Sequence, residues 1–76
     1  MTWLWPDKAR INARRIELGL SQEALGKHAK VGKTTIERLL GRGSRRATHT
    51  TLSRIAKVLD LPLAEILLKV PSQDGP

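Results

Sequence analysis

Capping and helix-breaking residues recur along this chain at intervals too short for any long helix, and the apolar residues between them repeat with helical spacing. Asp7, after Pro6, is placed to cap a helix running to about Leu18, with Ile11, Arg15 and Leu18 on one face and Gly19 ending it. Ser21 is placed to cap a second helix, Gln22 to Ala29, with Glu23 in its first turn where an acid suits the helix dipole. Lys30-Val31-Gly32 then breaks the chain, and Gly32 caps a third helix from Lys33 to about Leu40, striped by Ile36, Leu39 and Leu40. Residues 41–47 read as a loop. Thr48 caps a fourth helix to Leu59, in which Leu52, Ile55, Ala56 and Leu59 recur at i, i+3, i+4 and i+7. Pro62 suits a first helical position and predicts a fifth helix from about Leu63 to Lys69, which Pro71 stops. No segment alternates with period two, so the expectation is a compact all-α domain of five helices over residues 1–70, with a flexible tail at 71–76 and no sheet.

A chain of 76 residues holds one small core and no second lobe, which argues against most enzyme folds. Its 14 Lys and Arg against 7 Asp and Glu leave a net charge of +7, pointing to a polyanionic partner, nucleic acid before membrane. The placement of that charge says more. Residues 27–46 hold Lys27, Lys30, Lys33, Arg38, Arg42, Arg45 and Arg46 against Glu37 alone, so six of the seven net charges fall there. There is no Cys, hence no disulfide framework, zinc thiolate or cysteine nucleophile. No apolar stretch is long enough to span a bilayer, and the N-terminus lacks the basic flank and apolar run of a signal peptide, which suggests a soluble, cytoplasmic domain.

Two short helices joined by a tight break, the second beginning inside the basic cluster, form the helix-turn-helix arrangement whose second helix enters a DNA major groove. Leu25, Ala29, Val31, Ile36 and Leu39 are apolar or small where two crossed helices share a core, and Gly26 is small where the third helix passes close to the second. Burying Ile36, Leu39 and Leu40 turns Lys33, Thr34, Glu37, Arg38 and Gly41 outward. Arg38 has the reach for a bidentate contact to guanine, Lys33 reaches the same edge, and a Thr methyl or hydroxyl meets thymine or a phosphate. Glu37 is repelled by DNA unless it pairs with a neighbouring Lys or Arg, the arrangement expected here.

Four segments in order, Ala13–Glu23, Val31–Leu39, Thr51–Lys57 and Leu63–Leu67, make the sequence resemble the lambda-repressor-like helix-turn-helix proteins of bacteria and phages. The resemblance spans roughly residues 8 to 68. It implies a five-helix fold, operator binding as a homodimer, base contacts from Lys33, Thr34 and Arg38, and phosphate contacts from Gln22, Thr35 and the loop residues Arg42, Arg45 and Arg46. The chain departs from the family at three places: Arg42 and Gly43 alter the usual entry to the loop after the third helix, and two single positions are more informative. Lys30 stands where the family has Gly, at a turn position that needs positive φ, so a steric cost of about 1 kcal/mol is expected. Leu40 stands where many members carry a Glu paired with the arginine matching Arg15, which must find Glu17, Glu37, a carbonyl or water instead.

Other signals are weaker. Gly32-Lys33-Thr34 resembles the end of a phosphate loop, but Lys27 sits where its first glycine belongs and a helix, not a strand, precedes it. His28 and His49 belong to no closely spaced ligand set, so neither metal nor cofactor is expected, and no spacing assembles a nucleophile with its base. Trp3, Leu4 and Trp5, the chain's only aromatic cluster, are expected to pack on the first and last helices in preference to a partner-binding or base-stacking role. The last helix is apolar on more than one face, and Ile66, Leu68 and Val70 are candidates for a dimer interface. The expectation is a non-enzymatic, sequence-specific regulator that binds double-stranded DNA, acting as a homodimeric repressor with no membrane or small-molecule partner. The contrasting reading is a protein-interaction module, such as an antitoxin covering a partner protein. A membrane role is disfavoured because the cations fall on a turn, a short helix and a loop, without one long amphipathic helix.

Overall fold

In the computed structural model, which describes residues 3–41 and 46–68, three of the four helices start at a side chain that accepts a backbone N–H. Asp7 Oδ1 accepts from Arg10 N–H at 3.1 Å and opens α1 (Lys8–Glu17). Ser21 Oγ accepts from Ala24 N–H at 3.0 Å at the head of α2 (Gln22–Ala29), and α3 (Lys33–Leu40) follows from Gly32. Thr48 Oγ1 accepts from Thr51 N–H at 3.2 Å and opens α4 (His49–Leu59). Each of these bonds satisfies a donor that the first helical turn leaves without an intrahelical partner.

Three helices also end alike. Leu20 N–H reaches back to the Arg15 carbonyl at 3.0 Å, Val31 N–H to Gly26 at 2.8 Å and Leu61 N–H to Ala56 at 3.0 Å, each closing a Schellman turn. The residue inside each turn is left-handed: Gly19, Lys30 and Asp60, with φ of 71°, 60° and 57°. Lys30 thus has the positive φ expected of it. The α2 to α3 connection is therefore a fixed turn whose angle is set by backbone hydrogen bonds.

The core lies between the helices. Ile11 from α1, Leu25 from α2, Ile36 from α3, and Leu52, Ile55 and Leu59 from α4 are fully buried, as is Ile66. Leu40 joins this core, so in this chain the position offers Arg15 no acid. Arg15 takes the carbonyl alternative: its Nη1 donates to the Leu20 carbonyl at 2.7 Å and its Nε to Asn12 Oδ1 at 3.1 Å. Arg14 Nε likewise donates to the Leu59 carbonyl at 2.9 Å, tying α1 to the end of α4. Two of the chain's cations are thereby committed to holding helix ends.

Several expectations are corrected. Among the described residues the expected fifth helix is replaced by a single 3-10 turn, Leu63–Ile66, which gives way to an extended Leu67 at φ −96° and ψ 139°. The N-terminal segment takes the hydrogen bonds that a longer helix would need: Asp7 N–H donates to the Ile66 carbonyl and Leu68 N–H to the Trp5 carbonyl, both at 2.8 Å, with Pro6 bridged to Leu67. A small sheet is present where none was expected. β1 (Trp3–Leu4) pairs antiparallel with β2 (Ala47–Thr48), Trp3 opposite Thr48 and Leu4 opposite Ala47. Among the described residues the fold is thus four helices, a 3-10 turn and a two-stranded sheet. Leu18, expected on the same face of the first helix as Ile11, is the residue that caps α1 and is 41% exposed. Ile66, expected at a dimer interface, is wholly inside the monomer core and has no surface for a second subunit.

Candidate nucleic-acid interface

The α2–α3 pair is held at close range by Gly26. A Cβ at that position would lie 2.9 Å from the Val31 carbonyl oxygen and 3.2 Å from Ile36 Cγ1, so only glycine admits this crossing without movement. With Ile36 and Leu39 turned inward, Lys33, Thr34, Thr35, Glu37 and Arg38 are all exposed on the opposite face of α3. Lys33 Nζ stands 3.9 Å from Glu37 Oε2 one helical turn on, the pairing expected for that acid. Both side chains are more than half exposed, so the pair contributes about 0.5 kcal/mol or less and leaves Lys33 able to exchange Glu37 for another anion. Gln22 is exposed as the first residue of α2, where N–H groups of the first turn face outward.

Arg46 is exposed beside β2, its guanidinium 5.9 Å from the centre of the Trp5 ring. Arg42 and Arg45 lie outside the described residues, as does Val70; Leu68 is described and is 47% exposed. Trp3 and Trp5 are 52% and 44% exposed, while Leu4 between them packs against the core; Trp3 stands beside α3, not on the first helix. Trp3 borders a groove of about 350 Å³ that Thr35, Arg38, Leu39, Arg46 and Ala47 also line. A larger cleft of about 600 Å³ lies between the end of α2 and α4, lined by His28, Lys30, Arg54 and Lys57.

Sequence reasoning did not connect Trp3 with the third helix, nor Arg54 and Lys57 with Lys30. The second link had a signal, the i, i+3 spacing of Arg54 and Lys57 on the most regular helix; the first depends on strand pairing between distant segments. Among the described residues, no helix is long and apolar enough to cross a membrane.

Comparison with known proteins agrees with this geometry. A helix-turn-helix family model matches residues 11–66. No curated protein matches the chain. Among solved structures, the chain is similar to that titled as the master regulator for biofilm formation SinR in complex with DNA, with 30% identity and a TM-score of 0.59. That match covers 75% of this chain and 90% of the other. The matched span contains the capped α2, the left-handed turn at Lys30 and the exposed α3, and this chain belongs to the lambda-repressor-like helix-turn-helix family.

Proposed function

We propose that this chain is a sequence-specific regulator that binds duplex DNA with α3 in the major groove and acts as a repressor by occupying a site that polymerase or another regulator would use. The observation that carries the reading is the outward face of α3, where Lys33, Thr34 and Arg38 stand exposed on a helix whose angle is locked by the Gly26 contact and the Lys30 turn. Lys33 and Arg38 carry donors for guanine edges, and Thr34 offers a methyl and a hydroxyl. Gln22, Thr35, Arg42, Arg45 and Arg46 are assigned to phosphates, which position the domain without reading sequence. The similarity to SinR, whose structure is a DNA complex, supports the same reading.

The chain acts as a homodimer in this proposal, with Leu68 and Val70 in the contact between subunits. Half-sites then fall one helical turn apart, roughly 10 bp centre to centre. The test is binding to random duplex DNA over a range of salt. Release of counterions from several neutralised phosphates predicts a log–log slope of about −4 to −8. A slope near zero would remove the DNA reading and favour a protein-interaction module, whose apolar interface salt affects little.

A further inference from the structure

Trp3 presents a problem that the α3 reading leaves unsolved: a large indole held half in water at a fixed place. It is no fraying terminus, because the pairing of Trp3 with Thr48 and of Leu4 with Ala47 anchors the strand, and Leu4 is packed against the core. The groove it borders has a buried apolar floor, Leu39 and Ala47, one hydroxyl from Thr35 and two guanidinium groups from Arg38 and Arg46. No acid lines it. An occupant must therefore combine an apolar surface for the indole with negative charge for the arginines.

Arg38 narrows the choice, because it belongs both to this groove and to the outward face of α3. Whatever fills the groove is continuous with whatever α3 contacts. We propose that Trp3 and Arg46 form a clamp on the DNA sugar–phosphate strand that flanks the groove entered by α3, with the indole against a deoxyribose edge and Arg46 on the adjoining phosphate. This rests on the reading of α3 as the DNA-facing helix and adds to it a contact from a different element, the N-terminal strand. Trp5 has a supporting part. Its ring beneath the Arg46 guanidinium, at 5.9 Å, limits the directions the arginine samples and keeps it beside Trp3. The clamp touches sugar and phosphate, so it adds affinity without selectivity.

The test uses the two tryptophans separately. In Trp5→Phe, which keeps a ring under Arg46, Trp3 is the sole indole emitter. Saturation with a short random-sequence duplex at low salt reduces acrylamide quenching of Trp3 by about twofold or more as the indole is covered. Trp3→Ala, checked for unchanged helicity, weakens binding to selected and random duplexes alike, by about 3- to 10-fold, as the loss of one partly buried apolar contact requires. If Trp3→Ala perturbs folding, the protection measurement decides alone, since it leaves Trp3 in place. If the wild-type chain binds duplex and Arg38→Ala weakens the selected site, yet Trp3 stays equally quenchable, the clamp is wrong and the α3 reading stands. A wild-type chain that binds no duplex removes both. Loss on the selected site alone would make Trp3 a sequence-reading group and overturn the backbone assignment.

Discussion

Gly26→Ala adds a single methyl group at the α2–α3 crossing, and the structure sets the sign of its effect. The new carbon meets the Val31 carbonyl oxygen at 2.9 Å and Ile36 Cγ1 at 3.2 Å. A side-chain end could rotate away, but the nearer atom is backbone, and Val31 is itself held by its N–H to the Gly26 carbonyl at 2.8 Å. Ile36, 1% exposed, is enclosed in the core and cannot swing out into solvent. Overpacking of this kind costs about 1–3 kcal/mol, and a fixed backbone contact belongs in the upper part of that range. Replacing glycine inside a helix returns about 1 kcal/mol. The net loss is therefore about 1–2 kcal/mol, read as a lower urea midpoint with an unchanged slope, or as a Tm lowered by several degrees. Because α3 must shift outward to relieve the contact, affinity for a selected site falls as well, even where the domain is fully folded. A Gly26→Ala chain that is more stable than the parent by about 1 kcal/mol would refute this reasoning, since the helix gain would then be realised with no contact to oppose it.

Two further substitutions test other parts of the fold. Lys30→Gly relieves a left-handed residue at φ 60° and should raise stability by a few tenths to about 1 kcal/mol in urea denaturation; a loss would mean the side chain supports the turn. Leu68→Glu changes a side chain that is 47% exposed while keeping its backbone bond to Trp5, so it should give monomers in sedimentation with helicity intact, and an equally dimeric variant would place the subunit contact elsewhere.

How much of this was legible in the sequence follows from how local each signal is. α2, α3 and α4 each carry a starting residue and an apolar stripe within one short window, so their limits could be read directly. The left-handed turn at Lys30 was also readable, through the family position it occupies. The β1–β2 pairing was not, because strands of two residues show no periodicity and their partners are far apart in the chain. Residues 63–69 carry a helical stripe, yet Asp7 and Trp5 claim the Ile66 carbonyl and the Leu68 N–H on either side of the Pro6–Leu67 bridge, so a tertiary contact outweighs local propensity. The same stripe cannot distinguish a residue facing its own core, Ile66, from one left outside, Leu68. At the candidate interface, the exposed face of α3 follows from its buried one, whereas the position of Trp3 beside Arg38 depends on the sheet.

The central claim is that α3 reads bases while the cations around it hold phosphates. The measurement that separates these roles is a pair of affinities, for a selected site and for random duplex, taken for Arg38→Ala and Arg46→Ala at two salt concentrations. Arg38 projects from the outward face of α3, so Arg38→Ala should cost about 1–3 kcal/mol on the selected site, relax preference at one base pair and change random binding little. Arg46→Ala should weaken both duplexes about equally and reduce the salt slope by about 1. Equal loss on both duplexes for Arg38→Ala, with altered selectivity for Arg46→Ala, would move recognition to the segment before α4 and contradict the placement of α3 in the major groove.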